Sequence, residues 1–222
     1  MPDEPQGLAL YRWPAAAKFG RVVPKSRFYE HGNVRTALRD KFVDEIQRIT
    51  WAYKLAQSTI RLRGTQAVPE IQVFAVETKG DDVGNEVLKA IDKSVHFPIV
   101  FEVLRGNATR MVAAHKVLGG SSPKVGSYFT TDWFPTETDR VPLPAAIDLS
   151  ALYEAVMTSL LPMGARRGES VSGATARMEI AKKLEREIAA LERRLRNEPQ
   201  LNRKVELRRE LRDRQAALAA LV

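Results

Sequence analysis

The sequence predicts a mixed α/β domain followed by a C-terminal antiparallel helical hairpin. Between residues 34 and 145, stretches with helical spacing of apolar residues alternate with short apolar runs, which favours a mixed sheet with flanking helices. From residue 174 onward, apolar residues recur at spacings of three and four, and Pro199 interrupts the series. These observations divide the chain into an irregular arm over 1–33, the α/β domain over 34–145, a linking helix and hinge over 146–173, and the hairpin over 174–222.

The order of the predicted elements supports the α/β assignment. The arm is rich in proline and glycine but also in aromatic residues, so we expect it to pack on the body. Leu38, Phe42, Ile46 and Ile49 recur at helical spacing and predict the first helix of the domain. The full set of predicted elements is a helix over 33–50, strands over 59–62 and 70–77, a helix over 83–95, strands over 99–104, 110–117 and 125–133, and a helix over 149–161.

Composition excludes several classes of protein. The chain has 222 residues, of which 44% are hydrophobic and 28% charged, as in an ordinary globular protein. It has no cysteine, which excludes disulfides, Cys-ligated zinc and thiol catalysis, and its three histidines are too widely spaced to favour a metal site. There is no long uncharged apolar stretch, and the first residues are acidic where a signal peptide would be basic. We therefore expect a cytoplasmic protein without a membrane segment, metal or cofactor.

The hairpin is predicted from a seam of apolar residues. Two amphipathic helices, separated by the break at residues 197–200, each need a partner for this seam. A unit of about 49 residues buries little surface by itself, so we expect the seam to bind another protein as well as to close the hairpin. Packing of the hairpin on the α/β domain and self-association stay open as alternatives. The seam residues are Leu184, Ile188, Leu191, Leu195, Leu207, Leu211 and Leu218.

The positive charge of the chain is concentrated in the hairpin. The net charge is +8, and residues 174–222 alone carry 13 Lys and Arg against 8 Asp and Glu. A localised basic surface favours a polyanion such as DNA as partner, although a solvated helix face has the same composition. The candidate nucleic-acid-binding residues are Arg166, Arg167, Arg193, Arg196, Arg203, Lys204, Arg208, Arg209 and Arg212.

One motif suggests catalysis. Glu77-Thr78-Lys79 ends the strongest predicted strand, and an acid and a lysine at this spacing are typical of PD-(D/E)xK nucleases, where a carboxylate binds Mg²⁺ and the lysine orients water. Glu45, in the preceding helix, is the candidate second acid. The segment 59–62 lacks the further acid that this active site needs, and Glu70 is about 23 Å from Glu77 along the strand. Trp51 and Tyr53 are candidates for stacking a base, with anchoring in the core as the alternative.

Much of the chain resembles a small bacterial family of unknown function. The resemblance spans about residues 21–215 and implies a genomic setting beside Swi/Snf-type helicases and DNA methyltransferases, as in restriction or phage-defence cassettes. It implies no catalytic residues. The segments that carry it are Val23-Pro24-Lys25, Phe28-Tyr29-Glu30-His31, Phe42-Val43-Asp44-Glu45-Ile46, Trp51-Ala52-Tyr53-Lys54-Leu55, Glu70-Ile71-Gln72-Val73-Phe74, Lys89-Ala90-Ile91-Asp92-Lys93, Phe97-Pro98-Ile99-Val100-Phe101 and Leu201-Asn202-Arg203-Lys204-Val205-Glu206-Leu207.

Three functions are compatible with the sequence. The first is a non-catalytic accessory or docking subunit of a DNA-handling system, whose partner is a helicase or methyltransferase and which contacts DNA. The second is a metal-dependent nuclease that uses Glu77 and Lys79 with Mg²⁺. The third is a protein–protein adaptor that does not touch nucleic acid, and it predicts no salt-sensitive DNA binding.

Overall fold

The computed structural model describes residues 10–28, 35–118, 123–161, 166 and 168–221. The chain forms two compact units, residues 1–164 and 165–222. The first unit therefore includes the predicted linking helix. Its elements are β1 (Tyr11–Arg12), a short 3-10 turn (Ala15–Ala17), β2 (Lys18–Val22), α1 (Thr36–Glu45), β3 (Ile46–Leu55), α2 (Gln57–Ile60), β4 (Ile71–Thr78), α3 (Asn85–Ser94), β5 (Ile99–Arg105), β6 (Ala108–Val117), β7 (Lys124–Thr130), β8 (Phe134–Pro135), β9 (Val141–Pro142) and α4 (Leu149–Leu160).

A mixed sheet organises the first unit, and this confirms the predicted fold class. Among the described residues, seven strands join in the order β2-β3-β4-β5-β6-β7, with β8 also paired to β6. Strands β4 and β5 are parallel and are connected through α3, as the predicted strand–helix–strand passage requires. The other neighbours on this path are antiparallel. The two short strands β1 and β9 pair separately, in parallel.

The main hydrophobic core lies between one face of the sheet and helices α1 and α3. Phe42 of α1, Leu88 of α3, and Phe74 and Phe101 of the sheet are buried in a single cluster. The apolar residues of α3 recur at helical spacing, so one side of this helix is buried. Its charged residues Glu86, Lys89 and Lys93 are exposed, whereas Asp92 is buried.

The arm before α1 packs on the body, and part of it joins the sheet. Leu10, Trp13 and Ala17 are buried, and β2 forms an edge strand beside β3. Trp13 Nε1 donates a hydrogen bond of 2.7 Å to Glu102 Oε1 on β5. The strand β2 was not predicted, because its five residues are all exposed and show no alternation of polar and apolar side chains.

Two predicted elements differ from the structure. The first predicted helix ends at Glu45, and residues 46–55 form β3 instead of continuing it. The predicted strand over 59–62 is replaced by the short helix α2, whose Thr59 Oγ1 accepts a hydrogen bond of 3.0 Å from the Ala56 amide and donates one of 2.6 Å to the Lys54 carbonyl. Local bonds of this kind stabilise a turn in place of an extended strand.

The second unit is a helical hairpin, as predicted. Helix α5 runs from Val171 to Asn197 and helix α6 from Leu201 to Leu221, so the break falls at the predicted Pro199. Ser170 caps α5 by accepting a hydrogen bond of 3.1 Å from the Gly173 amide. The two helices pack against each other along the leucine seam.

None of the helices within the described residues is both long enough and apolar enough to span a bilayer.

Candidate functional site

The residues of the predicted nuclease motif meet at one end of the sheet. Thr78, the last residue of β4, pairs with Ile46, the first residue of β3. The backbone amide of Lys79 donates a hydrogen bond of 2.9 Å to the carbonyl of Glu45, the last residue of α1. The structure therefore brings the backbones of Glu45, Glu77 and Lys79 together at this end of the sheet.

Both carboxylates of this cluster have protein partners. Glu77 Oε1 accepts hydrogen bonds from Arg48 Nε and Nη2, at 2.8 and 2.5 Å. Glu45 Oε2 accepts one of 2.7 Å from the amide of Gly84, the residue that precedes α3. Within the described residues, His, Asp and Glu side chains nowhere form a group of three that would hold a metal ion. The carboxylates of Glu45 and Glu77 serve as acceptors for the protein itself in this arrangement.

Two lysines, Lys25 and Lys79, lie close to each other at this end of the sheet. Burial lowers the pKa of the Lys25 ammonium, and the charge of nearby Lys79 lowers it further. Lys25 Nζ also donates a hydrogen bond to the Ile46 carbonyl, which anchors the arm at the α1–β3 junction. Sequence reasoning missed the ion pair of Arg48 with Glu77, two residues that the register of β3 against β4 places opposite each other.

The acidic turn before α3 has a structural role. Asp82 Oδ1 accepts a hydrogen bond of 2.8 Å from the Val83 amide, and both oxygens of this carboxylate accept bonds from Arg110 Nη2 on β6. The N-cap residue of α3 is Gly84, whose amide donates to Glu45, so Asp82 lies two residues before the capping position.

The leucine seam lies inside the hairpin. Leu184, Leu191 and Leu207 are buried, and the other members, Ile188, Leu195, Leu211 and Leu218, are half-buried. An ion pair of 3.1 Å between Arg214 of α6 and Glu187 of α5 borders the seam. The two helices thus supply much of each other's apolar partner surface. Binding of another protein to the seam stays a prediction.

The cationic residues of the hairpin fall into two groups. Arg166 is tied to the hairpin, because its Nη2 donates hydrogen bonds to the carbonyls of Ala220 and Leu221 at the end of α6, at 3.2 and 2.9 Å. Arg167 lies outside the described residues. The remaining predicted DNA contacts lie on the helices: Lys204 is half-buried, and Arg193, Arg196, Arg203, Arg208, Arg209 and Arg212 are exposed.

Three of these cations form an uninterrupted row on α6. Lys204, Arg208 and Arg212 follow one another at intervals of four residues, which places them on one side of the helix. No position three or four residues from any of them holds an acid. By contrast, Arg203 and Arg209 each have Glu206 three residues away. We call Lys204, Arg208 and Arg212 the cationic row.

A cavity of about 540 Å³ lies on the α/β unit. It is lined by residues of β2 and the segment that follows it, of β3 and β4, and of the end of α3 with the segment after it. Trp51 lines it and Tyr53 does not. A β-bulge between these two residues changes the register of β3 against β4. Tyr53 instead contacts Trp13, with ring centroids 6.1 Å apart. The sequence singled out Trp51 but none of the arginines that border the cavity.

The comparisons with known proteins bear on nearly the whole chain. A family model described as a domain of unknown function, DUF4391, matches residues 12–218. No curated protein and no solved structure matches. The matched range covers both the mixed sheet and the hairpin, so the combination of the two units is a property of the family model. The chain belongs to the DUF4391 family.

Proposed function

We propose that this protein is a non-catalytic accessory subunit of a DNA-handling system and that it contacts nucleic acid through the cationic row of its hairpin. The resemblance in sequence supplies the context, a helicase or methyltransferase partner in a restriction or phage-defence setting. The observation that carries the proposal is the unpaired arrangement of like charges along α6.

Repulsion within the cationic row destabilises helix α6 unless an anion binds to the row. Like charges four residues apart destabilise a helix by about 0.2–0.5 kcal/mol per pair, and Arg208 has a cation on both sides at this distance. The acids of α6, including Glu206 and Glu210, lie on another side of the helix. Phosphate groups of a nucleic-acid strand are suited to bind such a row, since Lys and Arg neutralise them and release counterions.

The nuclease alternative has less support. Glu77 and Glu45 both accept hydrogen bonds from the protein, and a metal would have to compete with the Arg48 guanidinium for the Glu77 carboxylate. A PD-(D/E)xK site also needs an acid from the neighbouring strand, and β3 offers Arg48 beside Glu77. The accessory function therefore agrees better with the geometry of this cluster.

The cationic row is tested by the salt dependence of duplex DNA binding. We expect the triple variant Lys204→Ala, Arg208→Ala, Arg212→Ala to lower the slope of log K against log salt by about 2 to 3, since each lost phosphate contact removes about 0.9. The matched control is Arg203→Ala with Arg209→Ala, on the same helix but beside acids, and we expect a smaller change per residue removed. Equal slopes for the wild type and the triple variant would contradict the proposed DNA contact, as would binding that does not depend on salt.

The absence of catalysis is tested separately with supercoiled plasmid and Mg²⁺ or Mn²⁺. We expect the plasmid to stay intact at protein concentrations that saturate DNA binding. Cleavage that disappears in both Glu77→Ala and Lys79→Ala would overturn the accessory function in favour of the nuclease. Arg48→Ala serves as the third variant, because it frees the Glu77 carboxylate without removing either motif residue.

A further inference from the structure

The cavity of the α/β unit has an aromatic floor. The half-buried ring of Trp51 forms this floor. The buried ring of Phe74 supports it and lies nearly parallel to it, 5° apart in orientation, with centroids separated by 6.1 Å. Trp51 Nε1 donates a hydrogen bond of 3.0 Å to the Tyr53 carbonyl, which fixes the indole. Phe28 and Phe97 also line the cavity. An aromatic floor of this kind favours a planar ring as ligand, because base–aromatic stacking tolerates any base.

Cations stand at the border of the same cavity. Arg21 lies on β2, opposite Trp51 in the strand register, and its side chain is exposed. Arg27 and His96 are the other basic residues that line the cavity. Among the described lining residues none is acidic. Guanidinium groups bind phosphate in paired, charge-assisted hydrogen bonds, so this border favours an anionic group attached to the ring.

The buried Lys116 side chain holds the segment 95–97 of the cavity wall in place. The segment 95–97 follows the C-terminal end of α3. Lys116 Nζ donates hydrogen bonds of 3.0 and 2.7 Å to the carbonyls of Val95 and Phe97. These bonds satisfy carbonyl groups that would otherwise repel an anion near a helix C-terminus. The cavity is therefore preformed on this side.

We propose that the cavity binds a nucleotide, with its base against Trp51 and its phosphate at Arg21 and Arg27. A volume of about 540 Å³ lies in the usual range for small-molecule sites, about 300–1,000 Å³. A purely apolar ligand would make no use of the arginines, and inorganic phosphate would make no use of the aromatic floor. The nucleotide is either free or the end of a single strand, and the binding experiment distinguishes the two sources. The site belongs to the α/β unit and does not depend on the function proposed for the hairpin.

The experiment measures equilibrium binding to the full-length protein by calorimetry. The probes are adenosine 5′-monophosphate, adenosine, inorganic phosphate, and a short 5′-phosphorylated single-stranded oligonucleotide. We expect the double variant Arg21→Ala, Arg27→Ala to weaken binding of the phosphorylated probes about tenfold or more while changing adenosine binding little. We expect Trp51→Leu to weaken every base-containing probe about tenfold. The control is Lys18→Ala, which removes an exposed cation from the same strand outside the cavity.

The binding of the monophosphate and of the oligonucleotide distinguishes the two sources of the nucleotide. Saturable binding of the monophosphate that needs the arginines identifies a free nucleotide as ligand, and arginine-dependent binding of the oligonucleotide alone identifies a strand end. Failure of both probes to bind below about 1 mM, or equal binding by the double arginine variant, would overturn the proposal. If circular dichroism shows that Trp51→Leu does not fold, the binding measured with the Arg21→Ala, Arg27→Ala variant still tests the proposal, because both arginines are exposed. The triple variant of the cationic row should bind the monophosphate like the wild type, which distinguishes failure of this site from failure of the hairpin.

Discussion

Lys116 is a fully buried lysine, and it connects β6 to the end of α3. Its side chain and that of Asp92 are both 0% exposed, and the two form an ion pair. Lys116 Nζ also donates hydrogen bonds to the carbonyls of Asp92, Val95 and Phe97. Tyr128 completes the group by donating a bond of 2.8 Å to Asp92 Oδ2. Burial lowers the pKa of Lys116 and raises that of Asp92, so the pair depends on these hydrogen bonds to stay charged.

We expect Lys116→Met to destabilise the protein by about 3–5 kcal/mol, because it leaves a carboxylate buried without its cation. Urea denaturation measures this change. Lys124→Met, at an exposed position of the neighbouring strand β7, should stay within about 0.5 kcal/mol of the wild type. The double variant Lys116→Met, Asp92→Asn should recover part of the loss, because it removes the unpaired charge. A single variant as stable as the control would show that the pair contributes no stability.

Glu169 makes the hairpin sensitive to acid. Its carboxylate accepts hydrogen bonds of 2.9 and 2.8 Å from Arg177 Nε and Nη2, and one of 2.9 Å from the Arg166 amide. The hydrogen bonds from Arg177, followed by the one from the Arg166 amide, lower the pKa of Glu169 from 4.5 to about 2. A carboxyl group whose pKa is lower in the folded than in the unfolded state stabilises the folded state at pH values above the unfolded-state pKa. This stabilisation is lost as the pH falls toward the folded-state pKa.

We therefore expect Glu169→Gln to lower the thermal midpoint of the full-length protein at pH 7. The difference from the wild type should persist down to about pH 5 and close between about pH 4.5 and 2, as Glu169 becomes protonated. Thermal denaturation followed by circular dichroism at a series of pH values measures it. Glu185→Gln, at an exposed position of α5, controls for the loss of one negative charge. A difference that does not change with pH would contradict the assigned role.

At the scale of elements, the spacing of apolar residues predicted the helices and strands that bury a single apolar face. The strand β4, the helices α3 and α4, and the break at Pro199 all lie within a few residues of their predicted positions. The prediction was wrong at the junction between α1 and β3, where a continuous helix was expected over residues 33–50. Ile46 and Ile49 continue the helical spacing of Leu38 and Phe42, while Ile49 and Trp51 also begin the alternation of a strand. Pairing with β4 decides between the two patterns, and this contact is not visible in local spacing.

The candidate sites were predicted to the extent that one segment carries them. The Glu77–Lys79 motif, the seam and the basic residues of the hairpin each lie within a short stretch, so the sequence located them. The cavity draws its lining from several separated segments, and Arg21 and Arg27 lie in an arm without a periodic pattern. The partners of Glu45 and Glu77 come from other elements as well. Tertiary contacts of this kind depend on strand order and register, which composition and spacing do not specify.

At the scale of the whole molecule, the two units differ in how they are stabilised. The first unit has a continuous core under a sheet of seven strands among its described residues. The hairpin has one interhelical seam, supported by the ion pairs of Glu169 with Arg177 and of Glu187 with Arg214. Ile180, Leu201 and Val205 of the hairpin remain exposed, at 51%, 70% and 56%. A small unit with this little burial has little stability of its own, so a binding partner supplies a larger share of its total stability than it does for a unit with its own core.

We accordingly expect a chain truncated after Ser170 to fold, because it retains every strand of the sheet and helices α1 to α4. Circular dichroism should report a mixed α/β spectrum, and urea denaturation should give a single cooperative transition. The truncated chain should keep the nucleotide cavity, lose the DNA binding that depends on the cationic row, and lose binding to its protein partner. Pull-down from the native host with the full-length and truncated chains as matched baits measures the last effect. An unfolded truncated chain would contradict the independence of the sheet unit, and a folded one that binds duplex DNA and partner as well as the full chain would reduce the hairpin to a structural appendage.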